Sequence, residues 1–237
     1  MNDHITSAFD RDLEEIQAKL MRMGGMVEAG IHDATKALSE RDEILAEAVR
    51  QADKEIDALD EALHADCARL IALRQPIAGD LRLVLSVMKM VMHLERIGDY
   101  AKNMAKRSKV LFNAHEVTGA TGSIKRMSRE VELMLSDALN AYVRQDVTLA
   151  EDVRLRDQEV DQMYVALFRE FLTFMMEDPR NISSCMHYHF IAKNIERMGD
   201  HIVAIADQTI YQVTGNMPEE ARPKGMSSIY DVPMDDT

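Results

Sequence analysis

The chain reads Leu94-Glu95-Arg96-Ile97-Gly98-Asp99 near its middle and Ile195-Glu196-Arg197-Met198-Gly199-Asp200 near its end. Both copies lie in stretches whose apolar residues recur with the period of an α-helix. A glycine there costs about 1 kcal/mol relative to alanine, and two carboxylates four residues apart repel each other. A pattern that is unfavourable for a helix and yet occurs twice indicates that its carboxylates and its glycine are needed. The missing Cβ would let a neighbouring backbone or a metal cluster come close.

A nearly constant spacing relates the two halves of the chain. Three aspartates of the first half recur 104 residues later: Asp42, Asp53 and Asp57 as Asp146, Asp157 and Asp161. Pro76 recurs 103 residues later as Pro179, and the acidic motif recurs 101 residues later. A spacing that shrinks only after the second helix of each half indicates a tandem duplication with one short deletion.

Apolar residues follow the helical period almost throughout, with breaks at proline, glycine and polar clusters. The breaks delimit six predicted helices, at 5–38, 42–73, 78–112, 123–144, 147–176 and 181–214. Six helices that repeat as three predict an all-α fold of two tandem antiparallel three-helix bundles. We assign residues 1–116 to the first bundle and 117–215 to the second, and predict that the proline-containing tail at 216–237 is disordered.

Composition narrows the class of function. The formal net charge of −13 argues against a nucleic-acid partner, and it suits metal cations or basic protein surfaces. Cys67 and Cys185 lie far apart without CxxC spacing, so neither a disulfide framework nor a thiolate zinc site is expected. No apolar stretch is long enough to span a bilayer, and the N-terminus lacks the features of a signal peptide. These features predict a soluble cytoplasmic protein.

The second and third helices of each unit are expected to bring four carboxylates together. The candidate metal ligands are Asp53, Asp57, Glu95 and Asp99 in the first unit, and Asp157, Asp161, Glu196 and Asp200 in the second. Two like charges 4 Å apart repel by about 4 kcal/mol at an effective dielectric near 20, and a bound cation would reverse the sign. Oxygen ligands favour Mg²⁺, Mn²⁺, Ca²⁺ or iron, with zinc possible.

The acidic pairs, the histidines and the methionines each have a simpler interpretation. The acidic pairs could form a solvated face neutralised by Arg96 and Arg197, and His189 is more typical of packing than of ligation. The eighteen methionines are most simply core filler, although they could supply an adaptable docking surface. A metal-storage bundle of the ferritin type needs two ExxH motifs, and only Glu61-x-x-His64 is present. Since no nucleophile occurs with a base and an orienting group, an enzyme is not expected.

Several motifs together closely resemble the bacterial PhoU family, the accessory proteins of the phosphate-specific transport system. They are the repeated Glu-Arg-(Ile/Met)-Gly-Asp, Arg74-Gln75-Pro76 followed by Asp80-Leu81-Arg82, and Phe174-Met175-Met176-Glu177-Asp178-Pro179-Arg180. The resemblance covers about residues 5–214. It implies two three-helix bundles, usually dimeric, in a cytoplasmic regulator.

The resemblance also implies partners and a metal. Family members restrain the phosphate ABC transporter, through its ATPase subunit, and keep a phosphate-sensing histidine kinase inhibitory when phosphate is plentiful. Membrane association would then be peripheral and through these partners. Their acidic motifs bind metal, in some cases as iron or zinc clusters, and the eight carboxylates above match those motifs. Asn103 becomes Ala204 in the second repeat, so the two sites need not be equivalent.

Overall fold

The computed structural model describes residues 2–114 and 117–218, and side-chain positions from residue 8. It contains six α-helices: α1 (Asn2–Glu40), α2 (Glu43–Arg74), α3 (Gly79–Leu111), α4 (Ala120–Arg144), α5 (Val147–Glu177) and α6 (Ile182–Thr214). A single 3₁₀ turn at Pro179–Asn181 precedes α6, and the described residues include no β-strand. The six predicted helices are confirmed, with ends that differ by at most three residues. Nearly all of the predicted tail lies outside the described residues.

Equivalent aspartates begin the second helix of each bundle. A carboxylate at the residue before a helix accepts a hydrogen bond from one of the free backbone N–H groups of the first turn. Asp42 accepts from the N–H of Leu45 at 2.9 Å, and Asp146 accepts from the N–H of Leu149 at 3.0 Å. The two tight turns that fold α2 onto α1 and α5 onto α4 are therefore built from the same duplicated residue.

The two bundles lie side by side. Helices α1, α2 and α3 pack on one another, as do α4, α5 and α6, and the bundles meet where α3 packs on α6 and α1 on α4. Among the described residues, α2 and α5 contact only helices of their own bundle, so they form the outer edges. Arg82 at the start of α3 lies 6.0 Å from the ring of Tyr211, and Arg107 near its end lies 4.2 Å from the ring of Phe190. Helices α3 and α6 therefore run antiparallel.

Buried apolar side chains from all six helices form one continuous core. The apolar stripe on α1, which runs from Ile16 to Leu38, is buried along its whole length. Among the described residues, six methionines are fully buried, as expected of core filler: Met23, Met90, Met104, Met127, Met134 and Met198. Cys67 and Cys185 are buried free thiols. Within the described part of the chain, no helix combines the length and the apolar character needed to cross a membrane.

The repeated glycine allows the facing helix to approach closely. A Cβ at Gly98 would lie 3.2 Å from Cδ1 of Ile56 and 3.6 Å from Oδ1 of Asp53. A Cβ at Gly199 would overlap Oδ1 of Asp157. The missing side chain therefore makes room for Asp157 in the second repeat and for Ile56 in the first, where a Cβ would be only in ordinary contact with Asp53.

We predict that Gly199→Ala destabilises the fold by about 1–3 kcal/mol, because the added methyl must displace the buried Asp157 carboxylate or push α5 away from α6. Gly25→Ala is the control, since Gly25 is exposed and a Cβ there meets nothing within 4 Å. The control should gain up to about 1 kcal/mol from helix propensity. Urea unfolding in EDTA measures both, and equal stability of the two variants would contradict the packing role of Gly199.

Candidate metal-binding sites

In the first repeat, the four candidate ligands occupy the groove between α2 and α3. Asp53 is only 4% exposed and faces Gly98, whereas Asp57, one turn further along α2, is exposed. Glu95 and Asp99 are half-buried on α3. The groove thus brings a buried carboxylate from one helix near partly hydrated carboxylates of the other.

Lys102 joins the two helices across this groove. Its Nζ lies 2.5 Å from Oδ2 of Asp53 and 3.0 Å from Oδ1 of Asp99. Arg96, the cation considered first from the sequence, is more distant, at 3.5 Å from Glu95 and 3.6 Å from Asp99. The principal counter-charge of the first repeat is therefore Lys102.

Ionisation in the first repeat reflects crowding of negative charge. Burial raises the pKa of Asp53, Lys102 opposes this effect, and the nearby Asp57 and Asp99 add to it. Burial also raises the pKa of Glu95, with a further increase from Asp99. The ion pairs with Asp53 and Asp99 raise the pKa of Lys102, which keeps the lysine cationic. Carboxylates of α2 and α3 are thus close enough in the first repeat to raise one another's pKa.

The acidic residues and the glycine of the second repeat occupy equivalent positions, but different side chains surround them. Asp157 is only 1% exposed and packs against Gly199, while Asp161 is half-buried and Asp200 exposed. Glu196 accepts a hydrogen bond on Oε1 from Nζ of Lys193 at 2.7 Å. Its Oε2 is buried without a hydrogen-bond partner. A cation joins the two helices of this repeat as well, because Nε of Arg154 on α5 lies 2.8 Å from Oδ1 of Asp207 on α6.

Substitutions between the repeats change the chemistry of the two grooves. Lys102 is replaced by Val203 at the equivalent position, and Asp60 and His64 by Tyr164 and Phe168. His189 packs between those two rings, with centroid distances of 5.8 Å and 5.3 Å. Burial and the nearby Lys193 lower the pKa of His189. The interpretation of His189 as a packing residue agrees with these contacts.

A histidine pair joins the two repeats between their acidic grooves. Nδ1 of His93 on α3 lies 2.9 Å from Nδ1 of His201 on α6, and the ring of Tyr100 lies 5.7 Å from that of His201. Burial lowers the pKa of His93 to about 4, with His201 and Lys89 adding to the effect. Both imidazoles are therefore neutral at pH 7, and one donates its N–H to the other.

Neither groove forms a complete metal site in the part of the chain that the structure describes. Within residues 2–114 and 117–218, no three histidine, cysteine, aspartate or glutamate side chains converge on a point that could hold a metal ion as they stand. In the first repeat the ammonium of Lys102 lies where a cation shared by Asp53 and Asp99 would be. The second repeat has carboxylates at the equivalent positions and Val203 in place of Lys102. Metal binding by the eight carboxylates stays a prediction.

Sequence reasoning missed the residues that neutralise the acidic motifs. Lys102 follows Asp99 by three positions and Lys193 precedes Glu196 by three, a spacing that places ion-pair partners on one helix face. That signal was available in the sequence. The contact between His93 and His201 had no such signal, because it depends on how the two bundles pack.

Comparisons with known proteins agree with the duplicated fold. A sequence model of the PhoU domain family matches the chain twice, at residues 20–108 and 124–209. A phosphate-specific transport system accessory protein PhoU homolog of Caulobacter vibrioides (strain NA1000 / CB15N) is 43% identical over 224 residues, covering 94% of this chain and 97% of that protein. The homolog of the same name from Pseudomonas putida is 39% identical, covering 91% of this chain and 84% of that protein.

Solved structures give the same result. The crystal structure of PhoU from Pseudomonas aeruginosa superimposes with a TM-score of 0.85 at 39% identity, covering 88% of this chain and all of that one. The phosphate transport system regulatory protein PhoU from Streptococcus pneumoniae gives a TM-score of 0.83 at 29% identity, covering 90% of this chain. With its two matched domains, its near full-length relatives and its shared fold, the chain belongs to the PhoU family.

Proposed function

We propose that this protein is an accessory protein of phosphate transport that acts as a negative regulator of phosphate uptake and of phosphate-starvation signalling. In this role it is a cytoplasmic, non-catalytic homodimer that links the ATPase subunit of a phosphate ABC transporter to a phosphate-sensing histidine kinase. The observation that carries the proposal is the similarity, over nearly the whole chain, to relatives named phosphate-specific transport system accessory proteins.

Duplicated apolar residues at the helix turns support an adaptor role. Leu73 near the end of α2 is 66% exposed, and its counterpart near the end of α5, Met176, is 86% exposed. Because α3 and α6 run antiparallel, the turns that follow α2 and α5 lie at opposite ends of the molecule. Ile77 in the turn after α2 and Ile182 at the start of α6 are exposed as well, and grouped exposed apolar side chains mark protein contacts. Two equivalent ends suit an adaptor that engages two partners.

A bound metal would act on the helix pairs α2–α3 and α5–α6, whose connecting turns carry these exposed residues. We propose that Mg²⁺, Mn²⁺, iron or zinc is held by the acidic motifs, through Asp53, Asp57, Glu95 and Asp99 in the first repeat and Asp157, Asp161, Glu196 and Asp200 in the second. A cation there would hold α2 to α3 and α5 to α6 by neutralising carboxylates from both helices. This bracing would set the position of the exposed turns toward the partners.

We predict that Leu73→Ser and Met176→Ser each weaken capture of one partner, transporter ATPase or kinase, by about tenfold or more. Losing an apolar contact of this size corresponds to at least about 1.4 kcal/mol of binding free energy. Binding to the purified ATPase subunit and kinase provides the measurement. Ile44→Ser is the control for Leu73→Ser, because Ile44 is 85% exposed in the first turn of α2, at the other end of that helix from Leu73. Leu155→Ser is the control for Met176→Ser, because Leu155 is 59% exposed on α5 and lies far along that helix from Met176. Wild-type capture of both partners by both turn variants would rule out this docking surface.

Paired alanine substitutions test the metal. Glu196→Ala with Asp200→Ala should lower bound metal, measured by mass spectrometry on protein purified without a nickel column, and should derepress a phosphate-starvation reporter. Glu95→Ala with Asp99→Ala is the equivalent pair in the first repeat, and is expected to have the same two effects. Capture of the partners with and without chelator separates a metal-gated adaptor from a metal-independent one. Unchanged metal content in both double variants would remove metal from the proposed function.

A further inference from the structure

Helix α3 is basic, although the chain as a whole is strongly acidic. It contains seven lysines and arginines against three acidic residues, an excess of four positive charges in a chain whose net charge is −13. The contacts that these cations make within the fold decide whether their charge is neutralised internally or presented to another molecule.

Aromatic rings of α6 hold three of the cations of α3. Arg82 and Lys89 lie 6.0 Å and 5.9 Å from the ring of Tyr211, and Arg107 lies 4.2 Å from the ring of Phe190. Among the residues that the structure describes, no carboxylate forms an ion pair with any of these three cations. Because the rings are neutral, they position the cations without cancelling their charge.

Two further guanidinium groups lie midway along the line where α3 meets α6. Burial lowers the pKa of His201, and Arg96 of α3 and Arg197 of α6 lower it further, so both groups lie near this imidazole. The side chain of Arg96 is 57% exposed, and its contacts with Glu95 and Asp99 are long, at 3.5 Å and 3.6 Å. Positive charge therefore continues along α3 beyond the cations that rest on rings.

The outward side chains of α3 follow a seven-residue repeat. Arg82, Lys89 and Arg96 are seven residues apart, which is about 10.5 Å along a helix axis. Leu85 and Met92 lie between them and are 41% and 46% exposed. Cationic and apolar side chains thus alternate at spacings of three and four residues, the spacings at which one α-helix packs along another. We call the surface formed by these five residues the basic face.

We propose that the basic face is a docking surface for an acidic helix of a partner protein. Such a helix would place carboxylates opposite Arg82, Lys89 and Arg96, and apolar side chains against Leu85 and Met92. Charge complementarity identifies the occupant, because its carboxylates supply the counter-charges that the described residues do not give to Arg82 and Lys89. The inference goes beyond the proposed function and rests on this face alone.

Other occupants fit the basic face less well. A twofold dimer built on it would set the face of one copy against the same face of the other, and the like charges would repel. An anionic membrane would attract the cations, but Asp200 is exposed and Asp99 is half-buried on the same two helices, and a fluid layer of headgroups has no seven-residue spacing to match. A helix can place its carboxylates away from these two aspartates.

Two synthetic helical peptides serve as probes of the basic face. The first has glutamate and leucine at the alternating positions of three heptads, and the second has the same composition with those residues spread over all sides of the helix. Fluorescence anisotropy measures their binding to the full chain. The patterned peptide should bind more tightly than the scrambled one by about tenfold or more, because only it can match the spacing of the face.

Charge reversal at the face provides the decisive comparison. Arg82→Glu with Lys89→Glu should weaken binding of the patterned peptide by about tenfold or more, since two attractions become repulsions. Lys54→Glu with Lys125→Glu is the matched control, because it changes the net charge equally at exposed positions of α2 and α4. This control should bind the peptide as wild type does, and circular dichroism shows that both double variants are folded.

Several outcomes would overturn the proposal. Failure of wild type to bind the patterned peptide, or equal losses in the two double variants, would remove the docking surface. Equal binding of the two peptides would exclude recognition of a helix. Sedimentation of wild type, but not of Arg82→Glu with Lys89→Glu, with vesicles of phosphatidylglycerol and phosphatidylcholine in equal parts, without peptide binding, would make a membrane the occupant. Tighter peptide binding after deletion of residues 219–237 would make the chain's own acidic tail the occupant.

Discussion

Burial of one aspartate in each repeat, against a glycine of the next helix, is the constraint on which the rest of the molecule depends. A carboxylate removed from water needs a compensating charge or hydrogen bonds, since its ionised form is otherwise strongly disfavoured. Asp53 and Asp157 are the least exposed of the eight acidic candidates, both face a glycine of the next helix, and at Gly199 a side chain would overlap the Asp157 carboxylate. The conspicuous features of the sequence, the paired carboxylates and the misplaced glycine, follow from this arrangement.

Duplication places one buried aspartate and its facing glycine in each bundle, and the packing of the two bundles then positions the rest of the molecule. Antiparallel packing of α3 on α6 puts the two acidic grooves on either side of a central seam, with His93 and His201 in contact between them. The same packing sends the turns after α2 and α5 to opposite ends, each with an exposed apolar residue. A duplicated chain thus presents two similar ends, which is the geometry a two-partner adaptor requires, while sequence divergence lets the two grooves differ.

The residues around the buried aspartates differ between the two repeats. The first groove is strongly acidic and contains Lys102, whereas the second is lined by the rings of Tyr164 and Phe168 and by His189. The acidic residues themselves are retained in both repeats, but the cation that joins the two helices differs. Lys102 of α3 reaches Asp53 of α2 in the first repeat, whereas Arg154 of α5 reaches Asp207 of α6 in the second.

Sequence alone determined the all-helical class, the six helices and the duplication, because helical period, proline breaks and residue spacing are local properties of the chain. It also identified the eight acidic residues, since their pattern recurs at a nearly constant offset. Only the tertiary structure decided that Lys102 rather than Arg96 bridges Asp53 and Asp99, and that His93 meets His201. These contacts join residues on different helices, and their existence depends on the distance and angle at which the helices pack.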